Sequence, residues 1–131
     1  MQAILIRCGS RCCLSLPEYL YHGTYSTLVE HILANGLIRV PRDWRIWPSH
    51  AEVECIYLTS DPHNALHWAR MGLDKLDFMD NYRSKYNILP VVLQINKAGI
   101  NMDLLLEDAN MSNNQDFCYT GDIDPMWIEV V

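Results

Sequence analysis

Two short runs hold the residues best suited to chemistry. Tyr21-His22-Gly23-Thr24 places a polar step at the end of an apolar strand pattern, and Ile56-Tyr57-Leu58-Thr59-Ser60 places a tyrosine in a second one. A glycine lets a ligand approach the backbone, whose N–H and C=O can bind a planar carboxamide. The neighbouring His22 can donate a hydrogen bond to a ribose hydroxyl. The Tyr57 ring can stack on a flat heterocycle. Delivered from two strands, these groups could line one small-molecule cleft. Taken singly, each has a plainer explanation: His22 as a histidine capping a turn, Tyr57 as a core or edge aromatic.

The elements that must position them follow from pattern and punctuation. Glu18 to His22 reads as a strand ending at Gly23. A helix follows, capped by Ser26 or by Thr27 in a Thr27-x-x-Glu30 capping box. Leu28 and Ile32, with Val29 and Leu33, supply its apolar face. Asn35-Gly36 is a left-handed stop, after which Leu37 returns to the core. Cys55 to Thr59 is the second strand. Asp61-Pro62 opens another helix, with Asp at the N-cap and Pro in the first turn. Its stripe of Ala65, Trp68, Ala69 and Gly72 lets the helix lie close to a sheet. The polar stretch 73–87 can hold a further helix. Ile88 to Ile95 is a nearly continuous apolar strand, which suits a central position. Met102 to Leu106 fits a short strand or helix, and Ala3 to Ile6 a short strand or an irregular arm. Ala109 to Asp116 reads as a loop. Phe117 to Thr120 and Met126 to Val130 are closing strands. The sum is an α+β fold, a single domain over residues 1–131.

Bulk properties narrow the function classes. The chain has 131 residues, half of them apolar, which is enough for one domain with a real core. Its net charge of −6, from 10 Lys+Arg and 16 Asp+Glu, argues against broad electrostatic binding of nucleic acid. Residues 39–54 carry Arg39, Arg42, Arg45, Trp44, Trp47 and His50, and a loop of that length is either functional or an ordinary surface excursion. The five cysteines, Cys8, Cys12, Cys13, Cys55 and Cys118, form no C-x-x-C pair. Buried or free thiols in a reducing compartment are the preferred reading over a metal site built from Cys8, Cys12, Cys13 and His22. No apolar run approaches membrane-spanning length, and a cytoplasmic location is expected. There is no G-x-G-x-x-G after a strand, no phosphate-binding Gly-Lys-Ser/Thr loop and no G-x-S-x-G elbow.

Taken in order, the motifs resemble the ADP-ribosyltransferase superfamily, in its diphtheria-toxin and poly(ADP-ribose)-polymerase-like branch. The resemblance runs from about Tyr19 to Val130. Tyr21-His22-Gly23-Thr24 looks like the first motif, followed by Ile32-Leu33-Ala34-Asn35-Gly36-Leu37. Ile56-Tyr57-Leu58-Thr59-Ser60-Asp61, with Ala65 and Trp68-Ala69, resembles the second motif and its helix. Pro90-Val91-Val92-Leu93-Gln94-Ile95 resembles the next core strand, and Tyr119-x-Gly121-x-Ile123-x-Pro125-x-x-Ile128 the closing strands. The layout is also similar to the catalytic lobe of RNA 2′-phosphotransferases. Those enzymes carry a further N-terminal lobe and typically a histidine where this chain has Tyr57.

The resemblance implies a compact, short-stranded split β-sheet core with two or three helices, and NAD as co-substrate. His22 would hold the NAD ribose, the Gly23 backbone the nicotinamide amide, and Tyr57 the nicotinamide ring, with Thr24 lining the pocket. Arg39, Arg42 or Arg45 would neutralise the pyrophosphate. The third motif is usually a glutamate at the start of a late strand. Here Asp116 is the nearest acid, shorter by one methylene, with a solvated loop charge as its alternative reading; Glu129 is a poorer candidate. The implied activity is transfer of ADP-ribose from NAD to a macromolecular acceptor, with nicotinamide released, as in a toxin or phage-borne effector. Alternatives are a catalytically silent NAD or ADP-ribose binder and an RNA 2′-phosphotransferase-like enzyme. No membrane partner is expected.

Overall fold

The computed structural model describes residues 5–7, 16–39, 55–80, 87–108 and 116–131. Seven strands are present among them: β1 (Leu5–Arg7), β2 (Tyr19–Tyr25), β3 (Ile56–Thr59), β4 (Pro90–Asn96), β5 (Leu105–Asp108), β6 (Asp116–Tyr119) and β7 (Ile128–Val130). Two α-helices lie between them in sequence, α1 (Ser26–Asn35) and α2 (Pro62–Asp80). The strands form one sheet in the order β1-β5-β6-β3-β2-β4-β7, and each neighbouring pair is antiparallel. The α+β class expected from the pattern is the observed one.

Side-chain alternation gives the sheet two different faces. On one, Leu20, Ile56, Leu58, Leu93, Ile95, Phe117 and Tyr119 form the main core, closed by Ile32 of α1 and by Leu37 and Ile123. On the other lies α2. Its Ala65, Ala69 and Leu73 recur at helical spacing and are buried. A Cβ on Gly23 would collide with the Ala65 carbonyl oxygen and sit 3.1 Å from the Ala69 Cβ. The small-residue stripe therefore does what the sequence suggests, and Gly23 is its counterpart on the sheet.

Several local expectations change in the context of the whole. β2 continues through Gly23 to Tyr25, because β4 pairs with it along its entire length, from Tyr19↔Asn96 to Tyr25↔Pro90. The Thr27–Glu30 capping box does not form; Tyr25 is the N-cap of α1 and makes no side-chain cap bond. Ser26 anchors the helix start instead. Its N–H donates to the Leu89 carbonyl at 2.8 Å, and its Oγ accepts from the Leu89 N–H at 3.0 Å. Ile32 is the buried residue of α1, whereas Leu28 and Leu33 are exposed. Gly36 ends the helix as expected, at φ +85°, with its N–H on the Ile32 carbonyl. Leu37 then pairs with Ile123 through two backbone hydrogen bonds of 2.9 and 2.8 Å.

The stretch 73–80 is not a separate helix but the continuation of α2, which runs through Gly72 without a break. The stretch expected as a short strand or helix divides: residues 102–104 form a 3-10 turn and β5 starts at Leu105. Pro125–Trp127 is likewise a 3-10 turn, and the last strand starts only at Ile128.

The cysteines are not all thiols. Cys55 and Cys118 form a disulfide with a Cα–Cα separation of 5.6 Å. Both are buried, and the pairing follows from the register of β3 on β6. Such bonds persist in oxidising surroundings, so cysteine usage does not support the reducing, cytoplasmic setting expected above. Cys8, Cys12, Cys13, Arg42, Arg45, Trp44 and Trp47 lie outside the described residues. Among the described residues no helix is long and apolar enough to cross a membrane, and no group of three or more His, Cys, Asp or Glu could hold a metal ion.

Candidate functional site

The site is a parting in the sheet. β2 and β3 share one ladder pair, Tyr21↔Thr59, and no further pair forms toward Gly23 and Tyr57. On their outer sides both are fully paired, β2 with β4 and β3 with β6. The sheet is thus continuous except between Gly23 and Tyr57, which would face each other had the ladder gone on.

The direction of the Gly23 backbone follows from the far side of β4. Successive residues of a strand aim their N–H and C=O alternately to its two sides. The Val92 carbonyl accepts from the Val131 N–H at 3.1 Å, so the polar groups of Val92 point toward β7. Gly23 lies opposite Val92 in a pair that exchanges no hydrogen bonds, and its own N–H and C=O therefore point away from β4, into the parting. No residue of β3 pairs with them. They present a donor and an acceptor side by side.

His22 closes the base of the parting. Its ring Nδ1 lies 2.8 Å from the Tyr57 carbonyl oxygen, a contact that takes the place of a ladder bond. A carbonyl can only accept, so Nδ1 carries the proton. Burial is the main influence on this imidazole and holds its pKa below the ordinary 6.5, while the bond to Tyr57 opposes the shift in part. The ring is neutral near pH 7, and Nε2 is left with a lone pair. This corrects the donor role expected of His22: toward a sugar hydroxyl the neutral ring accepts.

The same environment fixes how stability responds to acid. The unfolded chain takes up the His22 proton near the ordinary value of 6.5, the folded chain only below it. The contribution is therefore complete above that value and declines as pH falls toward the lower folded value. Thermal unfolding of the native chain should show this acid-side decline, and His22→Gln, which does not titrate, should show less of it. Equal pH dependence in the two proteins would contradict a neutral, partly buried His22.

Tyr57, Thr59 and Asp116 share the face on which α2 lies. Tyr57 is opposite Cys118, and Thr59 opposite Asp116 on one side and Tyr21 on the other. Asp116 is 2% exposed and opens β6, which corrects its reading as a solvated loop charge. Thr59 is fully buried and was not singled out by sequence. Its Oγ1 accepts from the Asp61 N–H at 3.2 Å, and Asp61 in turn caps α2 through the His63 N–H at 2.9 Å. The end of β3 and the start of α2 are thereby fixed to each other.

Two expected ligand residues behave differently. Thr24 is buried and alternates with His22 on the core side, paired with Val91. Arg39 is engaged by Asp122: both its backbone N–H, at 3.0 Å, and its Nε, at 3.2 Å, donate to Asp122 Oδ1. This exposed ion pair joins the end of α1 to the β6–β7 connection and offsets the charge expected to meet a pyrophosphate. The structure brings the His22 ring to the Tyr57 backbone carbonyl, beside Gly23, while the Tyr57 side chain lies on the α2 face with Asp116 one strand beyond. No protein-family model matches the chain, and no curated protein matches it.

Proposed function

We propose that the chain is an ADP-ribosyltransferase-like enzyme that cleaves NAD at the nicotinamide–ribose bond and transfers ADP-ribose to a macromolecular acceptor. The observation that carries this reading is the parting between β2 and β3, where a Gly23 donor–acceptor pair lies beside a neutral His22. A primary carboxamide is complementary to that pair: its oxygen accepts from the Gly23 N–H and its NH2 donates to the Gly23 carbonyl. The Tyr57 ring supplies a flat surface for the pyridinium. His22 Nε2 accepts from a ribose hydroxyl. The narrowing of the sheet to one ladder pair between β2 and β3 is the feature that fits the split core expected of that fold.

In the reaction the C1′–N bond breaks, and nicotinamide leaves with both electrons of that bond. The ribose passes through an oxocarbenium-like transition state, and the acceptor attacks C1′ and loses a proton. The chain contributes orientation and charge stabilisation. Asp116, on the strand next to Tyr57, would act on the developing ribose charge.

Incubation with labelled NAD and cell lysate should release nicotinamide and transfer label. His22→Ala should lower both by about a hundredfold, the scale of one lost polar contact in a preorganised site. Absence of both release and transfer by the native chain would sink the proposal. One observation favours a second reading, a silent NAD or ADP-ribose binder: at 2% exposure, Asp116 is closed off from solvent. Tight NAD binding by calorimetry with no nicotinamide release would select it.

A further inference from the structure

The Cys55–Cys118 disulfide joins the two strands that carry Tyr57 and Asp116. Cys55, Tyr57 and Thr59 are alternate positions along one chain segment, so their side chains share a face. Tyr57 is directly opposite Cys118, and Thr59 is opposite Asp116. The bond therefore runs diagonally from the residue two before Tyr57 to the residue across from it. Cys55 and Cys118 form a small apolar cluster apart from the main core, and the groups packed against it are Tyr57 and Leu106. Tyr57 thus packs against the disulfide-bonded pair.

The neighbouring strand gives this packing little support. On the β2 side, β3 has a single ladder pair, at Thr59. At Tyr57 the strand is held by β6, by the His22 ring on its carbonyl and by the disulfide. The parting that leaves Gly23 open also removes the constraint that a continuous sheet would place on Tyr57.

We infer that the Cys55–Cys118 disulfide is a positioning group for Tyr57, so that competence of the site depends on oxidation. This rests on the reading of the parting as a nicotinamide site. The relevant step is a two-electron reduction. A dithiol gives up two electrons and two protons, closes to its own cyclic disulfide, and leaves Cys55 and Cys118 as thiols. Without the bridge Tyr57 loses this fixed partner, while the four-residue β3–β6 ladder remains.

The experiment compares oxidised protein, protein reduced with excess dithiothreitol, and a Cys55→Ala/Cys118→Ala variant, all well below their unfolding temperatures. Peptide mapping of the oxidised form should recover the Cys55–Cys118 linked fragment. The Tyr57 ring resonances should move on reduction and in the variant, with the rest of the sheet spectrum retained. Nicotinamide affinity should fall about tenfold in both, the scale of one lost aromatic stack. Added dithiothreitol should change nothing further in the variant.

Unmoved Tyr57 resonances with equal affinity in a folded, reduced chain would overturn the inference. Recovery of both cysteines as thiols from oxidised protein would do so as well. Global unfolding on reduction would make the bridge a general staple and also overturn it. If no form binds nicotinamide, the proposed function fails and with it the link to site competence, while the positioning of Tyr57 by the bridge stands or falls on the Tyr57 resonances.

Discussion

Gly23→Ala is expected to destabilise the chain by about 3 kcal/mol or more, at the top of the range for overpacking a close-packed contact. The new Cβ points at the Ala65 carbonyl oxygen and lies 3.1 Å from the Ala69 Cβ. A side chain can rotate out of the way, but a helix carbonyl cannot, because it belongs to the hydrogen-bonded ladder of α2. The helix must lift, and with it the contacts of Ala65, Ala69 and Leu73, all buried against the sheet. Natural domains hold only about 5–15 kcal/mol in total, so the loss is a large fraction of stability. Urea titration of the two proteins measures it. Ala69→Gly in the Gly23→Ala background relieves the Cβ contact alone and should recover little. A change within about 0.5 kcal/mol of the native chain, the range of neutral surface substitutions, would rule out this close approach in solution.

The prediction also revises why a glycine stands in the His-Gly-Thr step. The sequence suggests that its bare backbone admits a ligand. The structure gives the missing side chain a different use, which is admission of α2. The edge available to a ligand lies in the plane of the sheet, at right angles to the Cβ direction. Both demands fall on one residue, and the stability measurement separates the packing demand from the binding one.

What was legible in the sequence was mostly local. Gly36 and Leu37 announce a left-handed helix stop and a return to the core, and both are observed. The Asp61 cap and the Ala65–Ala69 stripe also hold. What failed depended on partners distant in sequence. Ser26 is anchored by Leu89, 63 residues away, and that competed successfully with the Thr27–Glu30 box. Cys55 and Cys118 are likewise 63 residues apart and meet only through the β3–β6 register. The parting itself has no local signature. Its polar lining is set by Val92 pairing outward to Val131, two strands from Tyr57. Motif order therefore pointed at Gly23, His22 and Tyr57, but not at how their backbone and rings divide the work. Leu28 and Leu33 show the limit of periodicity: both are exposed, while Ile32 is buried and Val29 half-buried.

Asp116→Asn is expected to lower nicotinamide release by about 10²–10³-fold, the scale of one lost charge-stabilising group, with nicotinamide affinity nearly unchanged. The substitution keeps volume and shape while removing the charge and replacing one acceptor oxygen by an NH2 donor at this buried residue. The sheet register narrows the choice of acid. Asp116, Thr59, Tyr21, Gln94 and Glu129 form one row across β6, β3, β2, β4 and β7. The two acids stand at opposite ends of that row. Asp116 is one strand from Tyr57, whereas Glu129 is three strands away, roughly 14 Å at the usual spacing, and is exposed. Glu129→Gln should accordingly leave release unchanged. Asp116→Glu tests the missing methylene. If the shorter acid were a defect, the longer one would raise activity. Asp116 is 2% exposed, so the added methylene enters a buried position and should instead cost about 1–3 kcal/mol of stability without a gain in rate. Single-turnover nicotinamide release, with affinity measured separately, distinguishes these outcomes. Full activity in Asp116→Asn would remove Asp116 from the chemistry.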